Sequence, residues 1–271
     1  MSDGPATKRI TLRDIARVKR DGGRLVVITA YDVLFARVVD ESGVDIVLVG
    51  ESVGNVVAGF DSTLPVTLDQ MIYHGAAVRR GVKRALLVVD MPFLSYQASI
   101  ERAILNCGRV LQETGADAVK VEGGNPEMIN TIAALTRTGI PVMAHLGFTP
   151  QSVRSLGMRI QGREDGDEDR LIAEAQALEH AGAFSIVLEL IPADLAGKIT
   201  SAVTIPTIGI GAGPRCDGQV LVLPDLLGLN DGFAPKFLKR YANVADIARE
   251  AVASYAEEVR SGKYPDAEHS N

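Results

Sequence analysis

Cysteine is scarce in this 271-residue chain, with Cys107 and Cys216 as its only two. Two thiols build no disulfide framework and lack metal-ligand spacing, which excludes a small cross-linked scaffold and a cysteine-ligated metal module. Cys107, within a helical pattern, reads as a small core residue. Positive charge is in deficit as well. Lysine and arginine number 28 against 34 aspartates and glutamates, a net charge of −6, and the isoelectric point is near 5.3. That balance repels phosphate and argues against a nucleic acid or an anionic membrane as partner. No apolar run approaches the roughly 20 residues that a spanning helix needs. The N-terminal "MSDGPATKRITLRDI" lacks the apolar segment of a secretory signal, so the expected location is cytoplasmic. A Gly/Pro/Ser-rich linker is also missing. The chain therefore reads as one domain, 1–271, with a core at 8–262 between polar tails 1–7 and 263–271.

What is present is a rhythm of short apolar runs, each followed by a loop and a longer amphipathic segment. The runs cover 24–32, 45–52, 84–92, 117–124, 140–148, 184–192, 205–213 and 218–225. Their β-branched, nearly continuous apolar character suits parallel strands covered on both faces. Helical patterns lie between them, for example over 67–81, where Thr67 and Gln70 form a capping-box signature, and over 98–116 and 167–183. Eight such alternations predict an α/β fold, a (β/α)8 barrel, with a doubly wound open sheet as the competing arrangement. Segment 8–21 reads as a helix closing the barrel bottom and 244–262 as the last outer helix.

Barrel active sites lie at the C-terminal ends of the strands. The strand-final polar residues are Asp32, Glu51 with Ser52, Asp90, Lys120 with Glu122, His145 and Glu189. Each acid alone has a plain reading as a helix or turn cap. Five acids converging on one rim repel one another unless a cation or shared protons relieve them. A hard divalent ion such as Mg2+ suits carboxylate oxygens. Zinc fits less well, because His145 is the one histidine on the rim, while His74 and His180 lie in helical patterns and His269 in the tail. Lys120 and Glu122 share a strand face at i, i+2. A protonated Lys120 beside acids suits gripping a substrate carboxylate, whereas the same acids oppose the lowered pKa of a Schiff-base lysine. "GIGAG" (209–213) lacks GxGxxG spacing and reads as a tight strand-end turn or a close backbone approach. "HLGFTPQS" (145–152) reads as strand, turn and helix start, with Thr149 or Ser152 as cap. "QGR" (161–163) and the acidic run after it read as a mobile surface loop able to act as a lid.

The motifs "VGES-G", "DSTLPVT", "VDMPF-SY", "VKVEGG", "AHLGFTPQSV", "QGR", "GIGAGP-CDGQVLV" and "YP--EHS", in this order, resemble the ketopantoate hydroxymethyltransferase family over nearly the whole chain. The resemblance implies a barrel of the phosphoenolpyruvate/pyruvate group. It implies Mg2+-dependent transfer of a hydroxymethyl group from 5,10-methylenetetrahydrofolate to 3-methyl-2-oxobutanoate in pantothenate synthesis. By motif, Glu51, Asp90 and Glu122 would bind the metal, and Glu189 would be the catalytic base. Ser52 and Lys120 would contact the 2-oxo acid, with Glu51, Asp90 and His145 lining its pocket. A homodecamer is implied too. A related transferase or lyase acting on another 2-oxo acid is the alternative, prompted by two departures. "GES" replaces the family's "GDS", and "RSLGMR" is shorter than the family's loop.

Overall fold

The computed structural model describes residues 8–157 and 159–270. The expectation of a polar tail at 1–7, and the part of the shortened loop at Met158, lie outside the described residues. Two compact units emerge, one ending at Val222 and one beginning at Leu223.

The larger unit is a closed barrel in which eight parallel strands pair in chain order, and the last pairs with the first. Closure rules out the open-sheet arrangement. The strands are β1 (Leu25–Thr29), β2 (Ile46–Val49), β3 (Leu86–Asp90) and β4 (Ala118–Glu122). They continue with β5 (Val142–Gly147), β6 (Ser185–Glu189), β7 (Thr207–Ile210) and β8 (Gly218–Leu221). Every apolar run contains one strand. β2, β3 and β4 are buried at each position, as expected of strands covered on both faces.

Inward residues fill the lower barrel in layers: Leu25, Val27, Ile46, Leu48, Leu86, Val88, Ala118, Met143, Val187, Ile208 and Val220 form one apolar cluster. The helix Leu12–Arg20 seals it from below. Thr11 and Asp14 close its N-terminus as a reciprocal capping box, Ile15 inserts into the cluster, and Ile10, Leu12 and Val18 pack against it. Lys19 Nζ then bonds the Thr200 and Ile205 carbonyls at 2.7 and 3.1 Å. The capping box expected at Thr67 and Gln70 opens the helix Leu68–Gly81. Gly115 ends the helix Ile100–Thr114 at φ 70°, a conformation that a β-carbon disfavours.

The connection from β7 to β8 carries no helix. The smaller unit holds a short helix, Leu223–Leu226, and a long one, Val244–Ser261, at the place in sequence expected for the last helix. The polar tail is ordered into a turn, Ala267–His269, capped by the Asp266 carboxylate. No helix among the described residues is long and apolar enough to cross a membrane.

Candidate active site

Alternate strand residues point at the barrel axis, so Ala118, Lys120 and Glu122 share one face of β4. Ala118 belongs to the apolar cluster, while Lys120 and Glu122 stand above it, charged and buried. The same step from apolar to charged occurs on β3 between Val88 and Asp90, on β5 between Met143 and His145, and on β6 between Val187 and Glu189. Strand register sets Asp90 beside Lys120 and Glu122 beside His145. Lys120 Nζ lies 3.2 Å from Asp90 Oδ1 and 3.3 Å from His145 Nδ1. His145 Nδ1 is 3.5 Å from Glu122 Oε1, and its Nε2 is 3.3 Å from Glu189 Oε2. These five predicted residues are thus continuous in space.

β2 contributes from its own end. The Glu51 backbone N–H donates to Asp90 Oδ2 at 3.0 Å, and Ser52 Oγ shares a 2.8 Å hydrogen bond with the Tyr31 hydroxyl. The Glu51 carboxylate is fully engaged by protein donors. Thr63 Oγ1 donates to one oxygen at 3.0 Å and Gln151 Nε2 to the other at 2.7 Å.

Burial and crowding set the charge states. Burial, then Glu122 and Asp90, push the Glu51 carboxyl well above its ordinary range. Burial lifts Asp90 as well, with Lys120 opposing. Burial works against the charge on Lys120, but Asp90, Glu122 and Glu51 together raise its pKa and keep the ammonium protonated. Burial also opposes charge on Glu122, yet His145, Lys120 and the Gln151 backbone N–H hold it below the usual carboxylate range. His145 is disfavoured as a cation by burial and by Lys120. The two acids flanking it, Glu122 and Glu189, still raise its pKa. Burial opposes the charged form at every one of these groups, and the contacts between carboxylates and cations decide the direction in which each ends.

Two sequence expectations fail here. Asp32 does not join the rim, because its carboxylate caps the helix Val33–Glu41 by accepting from the Leu34 and Phe35 N–H groups. Neither Thr149 nor Ser152 caps a helix through its side chain. Residues 150–152 form a single 3-10 turn, and its middle residue, Gln151, is the one that enters the site. In the segment read as a surface loop, Gln161 is buried and its N–H donates to the Leu190 carbonyl at 2.9 Å, while residues 163–166 are exposed.

Sequence reasoning missed three residues, Gln151, Tyr96 and Thr63. Tyr96 is wholly buried, accepts from the Glu122 N–H at 3.0 Å and donates to Gln151 Oε1 at 2.8 Å. Burial first, and Glu122 next, raise its pKa well above 10, so the hydroxyl keeps the proton that it donates. These residues sit in loops without periodicity. The one available signal was their place inside "SY", "TPQS" and "DSTLPVT". The backbone around Glu189 is specialised too. Leu190 adopts φ 48°, uncommon for a residue with a branched side chain. Opposite it, Gly147 holds φ 93°, where a β-carbon would come within 2.3 Å of the Glu189 carbonyl. The tight β5–β6 approach beside Glu189 therefore requires glycine there.

Among the described residues no three His, Cys, Asp or Glu side chains are arranged to hold a metal ion by themselves. Asp90 Oδ1 and Glu122 Oε1 are buried and make no hydrogen bond, although Lys120 and His145 lie at ion-pair distance. Unbonded buried carboxylate oxygens suit a hard divalent ion that takes one or two protein carboxylates and completes its shell with water and substrate.

The family model for ketopantoate hydroxymethyltransferase matches residues 9–267. The chain belongs to this family. A 3-methyl-2-oxobutanoate hydroxymethyltransferase from Pelobacter propionicus is 55% identical over 264 residues, covering 97% of each chain. One from Moorella thermoacetica is 53% identical, again over 97% of each. Solved structures with the same fold are more distant in sequence. Phosphonopyruvate hydrolase, in a complex with oxalate and Mg2+, gives a TM-score of 0.61 at 14% identity, covering 96% of this chain and 93% of that one. The 2,3-dimethylmalate lyase gives 0.56 at 15%, covering 94% and 88%. The Glu51 carboxylate, at the end of β2, turns to Thr63 and Gln151.

Proposed function

We propose that this chain is a hydroxymethyltransferase that moves the one-carbon unit of 5,10-methylenetetrahydrofolate onto 3-methyl-2-oxobutanoate, giving 2-dehydropantoate. The observation that carries the reading is the buried, protonated Lys120 set among acids, together with a partly exposed carboxylate, Glu189, on the same rim. A buried ammonium with its neighbours in place is a receptor for a small anionic substrate. Ser52 Oγ, held by Tyr31, adds a neutral donor. Glu189 is the catalytic base, because a base must reach the proton it takes while staying accessible to substrate, and its side chain keeps 19% exposure.

Mg2+ is the implied ion, and Asp90 and Glu122 would hold it, with Glu51 beside them. Bound there, it would polarise the 2-oxo group and make the neighbouring C3–H more acidic. The chain's own groups do the rest. Lys120 and Ser52 orient the 2-oxo acid so that C3 faces Glu189. The C3–H bond breaks with its proton passing to the Glu189 carboxylate, and His145, 3.3 Å away, steadies that carboxylate while it is charged. Water adds to the one-carbon unit of the folate, whose C–N bonds break to release tetrahydrofolate and formaldehyde. C3 then bonds to the formaldehyde carbon, and the former carbonyl oxygen takes a proton, returned by Glu189, to become the hydroxyl.

Self-association, as the decamer implied by resemblance, is part of the proposal. Neighbouring helices leave Leu34, Tyr73 and Leu105 more than 60% exposed, an apolar surface suited to a second copy. The working location would be the cytoplasm.

The test is deuterium exchange at C3 of 3-methyl-2-oxobutanoate in heavy water, with Mg2+ and without folate. Exchange is expected, and Glu189→Gln should slow it by roughly 10²–10⁴-fold with substrate binding retained. Wild-type protein that exchanges no C3 proton at saturating metal and 2-oxo acid would refute the assignment.

A further inference from the structure

Gln151 makes five hydrogen bonds at the acid cluster, two of them to its carboxylates. Its Nε2 donates to Glu51 Oε2 at 2.7 Å and to the Met91 carbonyl at 2.8 Å. Its Oε1 accepts from the Tyr96 hydroxyl at 2.8 Å and from Gln97 Nε2 at 2.6 Å. Its backbone N–H donates to Glu122 Oε2 at 3.1 Å. One buried residue therefore touches the acids at the ends of β2 and β4 from a loop that follows β5, the first through its side-chain amide and the second through its backbone N–H. Glutamine suits the position because its amide donates to a carboxylate with one end and accepts from a phenol with the other. On the far side, Thr63 closes the second Glu51 oxygen, so the loop between β2 and the helix Leu68–Gly81 is tied into the same network.

We propose that Gln151 is a positioning residue that aligns Glu51 and Glu122, and that Glu51 serves as the anchor of this network, with both oxygens committed to protein donors. The proposal rests on the site assignment above and deepens it. It gives a reason for glutamate at a position where the motif resemblance implies aspartate. The additional methylene carries the carboxylate out to Thr63 and Gln151, leaving the unbonded oxygens of Asp90 and Glu122 as the pair that faces a cation. Gln151 acts through the acids that it holds.

The experiment uses the full-length protein in its native assembly, with five variants at Glu51 and Gln151. Backbone amide exchange is read over residues 60–66 and 147–152, and steady-state kinetics are read alongside. Gln151→Leu and Glu51→Ala should each speed exchange in both segments and lower kcat/KM by roughly 10–100-fold, as loss of supporting partners does. Because the two residues act as one unit, the double variant should lose no more than the larger single one. Glu51→Gln keeps an oxygen to accept from Gln151 and an amide to give to Thr63, so it should preserve protection of 147–152. Gln151→Glu preserves shape but faces Glu51 with a second carboxylate. It should be more damaging than Gln151→Leu, the reverse of what a packing role predicts. Additive losses at the two positions, or unchanged exchange in 147–152 for both Glu51→Ala and Gln151→Leu, would overturn the proposal. Amide exchange needs no turnover. A wild type inactive on the 2-oxo acid but with the expected exchange pattern refutes the functional assignment and leaves the anchor standing.

Discussion

Both ends of the barrel carry buried or half-buried acids, and their partners differ. At the N-terminal end, each acid accepts hydrogen bonds from backbone N–H groups of its neighbours. Asp40 takes those of Lys83, Arg84 and Ala85, Asp45 that of Val26, Asp117 that of Leu87, and Asp217 that of Thr207. At the C-terminal end, Asp90, Glu122 and Glu189 face a lysine, a histidine and one another, and two of their oxygens go without a hydrogen bond. Acids of the first kind stitch strands together. Acids of the second kind carry charge that the fold leaves partly unanswered, which is the condition for binding something else.

Substitutions at each end test that contrast. The largest effect is expected at Lys120. Lys120→Met leaves the buried acids without their central cation, a loss of about 3–5 kcal/mol. It should appear in denaturant unfolding, together with loss of 2-oxo acid binding by calorimetry. At the opposite end, Asp40→Ala strands three backbone donors at about 1 kcal/mol or more each. Unfolding should show the whole loss, and turnover per folded molecule should match wild type. Equal losses of activity at the two ends would erase the distinction.

The smallest effect is a gain. The Glu51 carboxyl is raised above its ordinary 4.5 in the folded state, so folding favours its protonated form. That contribution is fully present below 4.5 and is lost as pH rises towards the elevated folded value. Glu51→Gln, always neutral, should therefore be more stable than wild type at pH 7.5. The gap should shrink as pH falls to 4.5, followed by thermal unfolding across that range. A pH-independent gap would mean that Glu51 is not a charged, strained member of the cluster.

Much of the fold was legible because its signals are local. Continuous β-branched runs mark covered strands wherever they occur, and the Thr67–Gln70 pair announces its own helix start. The rim acids were legible for the same reason, since a strand-final carboxylate after four apolar residues stands out. Asp32 shows the limit of that rule. Its i+2 and i+3 amides lie close by in a helix start, and a local partner outcompetes a distant cluster. Gln151 shows the reverse case: all its side-chain partners are distant in sequence, and nothing beside it in the chain announces them.

The sequence by itself determined the eight alternations, the inward i, i+2 faces that pair Lys120 with Glu122, and a set of acids in excess of cations, because these depend on composition and strand period alone. The tertiary structure decided which acids are answered and which are not. Barrel stagger sets Asp90 beside Lys120 and Glu122 beside His145, and the β5 loop swings Gln151 onto Glu51. Those pairings rest on register and loop geometry between residues as far as a hundred positions apart, which no local pattern encodes.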